Sequence, residues 1–294
     1  MSRVFANRNA PATSSMLATR ILTAVVLVPL VLAGLFLLPP LAWGAVSLAA
    51  IVLAAGEWAN LAGYRKPTWL LFVGGTLLMG ANLLFAPWSG FADGWPHGIV
   101  LAVCGVATSF WLFVAPLWLK SRWNPASPLP LAIAGWIVLL GAWVAVVELQ
   151  ARSPWLVLAA MAIVWIADTA AYFAGRAFGR RKLAPQVSPG KTWEGVYGGL
   201  AAVAVYALAL VPLAAAGGFA DAVSPTAVVI WIVLALALAA LSVVGDLYES
   251  LLKRSANVKD SGQLLPGHGG VLDRIDALLA AMPAAALLAI AFLR

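Results

Sequence analysis

Nine long apolar runs divide the chain, at residues 21–38, 41–62, 68–87, 98–119, 129–149, 154–175, 195–217, 225–247 and 277–293. Each is close to the roughly 20 residues that an α-helix needs to cross the hydrocarbon core of a bilayer. The runs are continuous and rich in Leu, Ala and Val. The strands of a transmembrane barrel would instead alternate apolar and polar positions. Pro39, Pro40, Pro67, Pro87, Pro130, Pro154 and Pro225 fall at the joins, where helices start and stop. The expected fold is therefore all-α, a polytopic integral membrane protein with about nine transmembrane helices. Five of these lie in 21–150 and four in 151–294, after a polar tail over 1–20. The first run is longer than a signal-peptide core, so it is read as a retained span. No internal repeat is visible.

Composition strengthens this reading. Only 10% of the residues are charged, against roughly 25% in soluble domains, and the mean hydropathy is +0.97. Tryptophans 58, 69, 88, 118, 155 and 193 fall near run ends, as members of interfacial belts would. With nine spans, the tail and every second loop share one side, and that side carries 16 of the 18 Lys and Arg residues. Arg3, Arg8 and Arg20 belong to it, and only Arg152 and Arg294 fall opposite. The positive-inside rule makes it the cytoplasm. The net charge of +7 then reflects topology and attraction to anionic headgroups, and it gives no reason to expect nucleic acid as a partner. Cys104 is the only cysteine, which excludes an intrachain disulfide and a cysteine-based metal site.

Seven of the 11 carboxylates lie in the last 127 residues on or near the cytoplasmic side: Asp168, Glu194, Asp246, Glu249, Asp260, Asp273 and Asp276. Glu57 and Glu148 sit toward run ends, where snorkelling or hydrogen bonding between helices accounts for them. Asp168 lies inside the sixth run, where a carboxylate costs about 2.5 kcal/mol or more and must face a polar cavity or a partner. The segment SPGKTWEG, 188–195, is not a phosphate-binding P-loop, because position 185 is Pro where the motif opens with Gly. It reads as a helix start, with Ser188 as cap, Pro189 in the first turn, and Lys191 beside free N–H groups that would hold an anion. Asp246, Glu249 and Lys253 share one helical face at i, i+3 and i+7. Asp273 and Asp276 repeat the spacing at the start of the last run, with Arg274 between them. Oxygen-only ligands from separate helix ends suit Mg²⁺ beside substrate phosphates. Zinc is not expected, because His268 has no second His or Cys within ligand spacing and His97 falls on the opposite face of the membrane. Gly267, Gly269 and Gly270 would let the backbone approach a phosphate, and His268 would bond a phosphate oxygen or cap the loop. A cavity with acids for a metal and bases for phosphate fits phosphoryl or nucleotidyl transfer, with the substrate left open.

The segment SLLKRSANVKDSGQLLPGHGGVLDRID, 250–276, resembles the signature of the phosphatidate cytidylyltransferases, the CDP-diacylglycerol synthases, at every fixed position. DTAAYFAGRAFGR, from 168, and SPGKTWEG are similar to upstream blocks of that family. The resemblance implies transfer of CMP from CTP to phosphatidic acid, giving CDP-diacylglycerol and pyrophosphate. It also implies a bacterial inner membrane setting, Mg²⁺ with a monovalent cation such as K⁺ as a further candidate, and a homodimer. Carried onto this chain, it makes Asp246 and Asp273 the metal-holding aspartates, with Asp276 and Asp168 in support. Asp246, Asp273, Asp276 and Lys253 become the catalytic set. Ser188, Lys191, Arg254, Lys259, His268, Gly269, Gly270 and Arg274 become contacts for CTP or the lipid phosphate.

Three rivals fare worse. An ion-coupled transporter should show paired broken helices in two related halves, and no such symmetry is visible. A CDP-alcohol phosphotransferase needs a different four-aspartate arrangement that this chain lacks. A scaffold would not require Asp246, Asp273 and Asp276 to converge.

Overall fold

A computed structural model describes residues 13–123, 125, 127–216 and 224–292. Nine helices run through it: α1 Thr13–Leu37, α2 Pro40–Leu61, α3 Lys66–Phe85, α4 His97–Ser121, α5 Pro128–Arg152, α6 Pro154–Phe178, α7 Trp193–Ala216, α8 Pro225–Ser255 and α9 Leu272–Phe292. Eight are long and apolar enough to cross a membrane, and α1 adds the apolar stretch Ile21–Leu37. A π-helical turn, Phe110–Val114, interrupts α4. The all-α, multi-pass architecture expected from the runs is what the chain adopts.

Local chemistry explains the helix starts. Proline occupies the first turn of α2, α3, α5, α6 and α8, where its missing N–H is no loss. Ser127, Ser153 and Ser224 cap α5, α6 and α8 by accepting from Leu129, Trp155 and Ala227 N–H groups. Helix α5 is the centre of the bundle, with most of its residues buried. Outer helices leave Leu71 and Leu78 of α3 and Val25 and Leu30 of α1 exposed, as lipid-facing surfaces require. Gln150 of α5 ties down the end of α1 by donating to the Leu35 and Leu38 carbonyls at 3.3 and 2.9 Å.

Several expectations need correction. SPGKT is not a helix start and Ser188 is not a cap. Ser188–Thr192 forms strand β2, antiparallel to β1, Lys182–Ala184, with Lys182 opposite Thr192 and Ala184 opposite Ser188. Pairing with β1 satisfies backbone groups that a helix N-terminus would leave free. Helix α8 continues past 247 to Ser255, and α9 begins at Leu272 rather than 277. Apolar runs mark what lipid covers, whereas these helices project polar turns beyond it. Helix α1 begins at Thr13, within the expected tail; Arg3, Arg8 and the rest of 1–12 lie outside the described residues, as does Arg294. Trp58 and Trp118 are buried within the protein, and the indole N–H of each donates to a backbone carbonyl, of Leu131 and Trp123 respectively.

Helices α8 and α9 approach closely at Gly245. A Cβ there would stand 2.6 Å from the Asp276 carbonyl oxygen and 2.9 Å from Ala280 Cβ. Gly245→Val should force the two helices apart, at about 1–3 kcal/mol for overpacking. The expected result is a lower thermal midpoint of the purified protein in detergent.

Candidate active site

Four elements bring the ionisable residues together: α6, strand β2, and the facing parts of α8 and α9. Asp246 lies nine residues before the end of α8, about 13 Å along its axis at 1.5 Å per residue. Its Oδ2 accepts from Lys191 Nζ at 2.5 Å, and its Oδ1 accepts from Ser250 Oγ at 3.2 Å. The hairpin that carries Lys191 is tethered a second time, where Arg254 Nε donates to the Val187 carbonyl at 3.3 Å. One turn or two beyond Asp246, Glu249 pairs with Lys253, and Lys253 Nζ also reaches Asp273 Oδ1 at 2.8 Å. Asp276 and Asp168 lie within electrostatic range of Asp246, and Lys191 acts on Asp168 as well. Five carboxylates thus surround two ammonium groups.

The loop between α8 and α9 is built around Asp273. Its Oδ2 accepts from Ser261 N–H at 2.8 Å and Gly270 N–H at 2.9 Å, and lies 3.0 Å from Ser261 Oγ. Both oxygens are therefore engaged, one by Lys253 and one by the loop. Gly269 adopts φ +83°, a left-handed conformation that favours glycine, and the Leu265–Gly269 bridge closes the loop. Arg274 Nε donates to the His268 carbonyl at 3.0 Å. His268 is half-buried, and its buried Nδ1 has no hydrogen-bond partner among the described residues. Thr23 of α1 donates to the Pro266 carbonyl at 2.9 Å, so the first helix also touches this loop.

The expected residues therefore assemble in two tiers. Lys191, Asp246, Lys253, Asp273 and Asp276 form the inner cluster, with Asp168 exposed on α6 at its edge. Arg254, Lys259 and Arg274 are exposed, and Ser188 is half-buried in the hairpin. Gly270 differs from the reading made for it: it is buried, and its N–H is held by Asp273. His97 stands apart, 2.9 Å from Arg152.

Three contributors escaped the motif reading. Glu249 shared the helical face but was given no role, Ser261 carries no charge to mark it, and Glu57 comes from α2. Glu57 accepts from Val271 N–H at 3.0 Å, Leu272 N–H at 2.8 Å and Ser261 Oγ at 2.9 Å. The hydrogen bonding between helices expected of Glu57 is observed, whereas Glu148 accepts from Arg152 Nε on its own helix and from Trp95 N–H in the loop before α4. The only sequence signal for Glu57 was a charge in an apolar run.

Residues 18–292 match the cytidylyltransferase family. The chain belongs to that family. As a cytidylyltransferase it is 40% identical over 289 residues to the phosphatidate cytidylyltransferase of Pseudomonas aeruginosa, covering 91% of this chain and 95% of the relative. Similarity to the phosphatidate cytidylyltransferase of Haemophilus influenzae is 37%, covering 91% and 96%. With that of Brucella suis it is 36%, covering 91% of each. The cytidylyltransferase match spans the N-terminal helices as well as the motif region, so Glu57 falls within it.

Proposed function

We propose that the chain transfers the cytidylyl group of CTP to phosphatidic acid, giving CDP-diacylglycerol and pyrophosphate. The observation that carries this reading is the pairing of Lys191 with Asp246 and of Lys253 with Asp273 across β2, α8 and α9, in a chain whose relatives are named phosphatidate cytidylyltransferases. A phosphate oxygen of the lipid attacks the α-phosphorus of CTP. The new O–P bond forms as the bond to the β-phosphate oxygen breaks, and pyrophosphate leaves with the electron pair. No general base is needed, because a phosphate monoester is already anionic near neutral pH. Lys191 and Lys253 lie where they can neutralise phosphate charge, and Arg254, Lys259, His268, Gly269, Arg274 and Ser188 supply contacts at the rim. The acyl chains stay in lipid while the headgroup enters from the bilayer side.

The donor set also fits a hard divalent cation. Its ligands are all oxygen, and carboxylates outnumber cations in a partly buried site. Among the described residues, no three acidic or imidazole side chains are drawn around a single point. Asp246 and Asp273 would hold Mg²⁺, with Asp276 and Asp168 in support. When bound, the ion would neutralise charge on the attacked phosphate and the leaving group. A monovalent cation, K⁺ for example, belongs to the same reading. So do a homodimer and a site facing the cytoplasm of a bacterial inner membrane, the side to which the positive-inside rule assigns these loops.

The test uses the purified full chain in mixed micelles. Pyrophosphate release should require CTP and phosphatidic acid together, with CDP-diacylglycerol appearing in equal amount. Release independent of phosphatidic acid, or none with both present, would overturn the assignment.

A further inference from the structure

We propose that Glu57, from the second transmembrane helix, is a positioning residue that sets the aspartates of α9 for catalysis. The first N–H groups of a helix have no partner within it, and a carboxylate there is also favoured by the helix dipole. In α9 that carboxylate comes from a residue more than two hundred positions earlier. Glu57 Oε1 takes the Val271 N–H and Oε2 takes the Leu272 N–H, two residues and one residue before Asp273 respectively. The same Oε2 accepts from Ser261 Oγ, whose hydroxyl also lies 3.0 Å from Asp273 Oδ2. Glu57, Ser261 and Asp273 therefore form one chain of contacts, with Lys253 at its far end.

An independent observation points the same way. A Cβ at Gly262 would lie 2.5 Å from Glu57 Oε1 and 2.9 Å from its Cδ, and one at Gly270 would lie 2.6 Å from Cδ. Two loop glycines thus form the slot that admits this side chain, which is only 7% exposed. The second glycine of HGG serves the Glu57 carboxylate by leaving space, while its N–H serves Asp273. The N-terminal helices consequently do more than anchor the chain, because one of them holds the start of the helix that carries Asp273 and Asp276.

The inference rests on the proposed reaction for its kinetic test, so one measurement is independent of turnover. In Glu57→Gln, a donor replaces one acceptor oxygen and faces N–H or O–H groups. Hydrogen exchange across 261–273 should rise, with the rest of the bundle unchanged. The kcat of the folded protein should fall about 10- to 100-fold, the range for losing groups that orient a site, while KM for CTP changes less than about threefold. Glu57→Asp should recover part of the loss. Ser261→Ala, which keeps both backbone contacts of Glu57, should lower kcat by itself, and its effect should not add to that of Glu57→Gln. Unchanged exchange, or activity that falls only with the amount of folded protein, would overturn the proposal. Wild-type protein inactive toward CTP and phosphatidic acid would count against the reaction instead, and the exchange result would still decide the role of Glu57.

Discussion

Asp246→Asn is expected to lower turnover on the order of 10²- to 10³-fold, the loss typical of removing one electrostatic contact to the transition state. The substitution is nearly isosteric and retains an oxygen for Ser250 Oγ. It removes the charge that holds Lys191 Nζ at 2.5 Å and, in the proposed reaction, a ligand for the divalent ion. Stability should change little. The side chains of Lys191 and Asp246 are 25% and 27% exposed, and a pair of that kind contributes about 1 kcal/mol or less. Steady-state pyrophosphate release, read beside the thermal midpoint in detergent, separates the two effects. A kcat within threefold of wild type would remove Asp246 from the chemistry, and a large fall in midpoint would show that the pair is structural.

The legibility of this fold follows from the solvent. Lipid demands about 20 apolar residues per crossing and tolerates few exceptions, so hydropathy alone located the nine helices, eight of them long and apolar enough to cross. It could not give their ends. Beyond the hydrocarbon core a helix continues for reasons of packing and capping, as α8 does through Lys253 to Ser255, and no apolar signal records those turns. The hairpin was missed for a related reason. Lys182–Thr192 is short and interrupted by Pro and Gly, and its two strands pair with each other while Arg254 and Asp246 tether them to α8.

The site was legible in part. Motif spacing grouped the residues of α8, α9 and the hairpin, because i, i+3 and i+7 positions share a face whatever the tertiary structure. It could not divide the aspartates by task. Asp273 and Asp276 stand one turn apart and look equivalent in sequence, yet Asp273 gathers Lys253, Ser261 and Gly270 while Asp276 acts on Asp246. That division depends on the path of the loop. The partner that shapes the loop, Glu57, lies in a segment whose hydropathy says only that it crosses the membrane.

Lys253→Met should be the most destabilising single change in the site. Lys253 contacts Glu249 and lies 2.8 Å from Asp273 Oδ1. The three side chains are 14%, 4% and 5% exposed. Removing the cation leaves two nearly buried carboxylates without compensation, a loss that runs to about 3–5 kcal/mol for a buried pair. Turnover should be lost as well, since Lys253 also orients Asp273. The double variant Lys253→Met with Glu249→Gln tells these effects apart. Neutralising Glu249 as well removes one of the two uncompensated charges and leaves Asp273 its bonds to Ser261 and Gly270, so part of the thermal midpoint should return, whereas turnover should not. Thermal midpoints of the wild type, both single variants and the double variant, measured in one detergent, give the coupling energy directly. If the double variant is as unstable as Lys253→Met, the destabilisation comes from lost packing of the lysine stem and the ion pair is not what holds α8 to α9. Recovery of stability without activity would instead assign Lys253 both tasks: it compensates buried acid between two helices, and it supplies positive charge where the phosphates react.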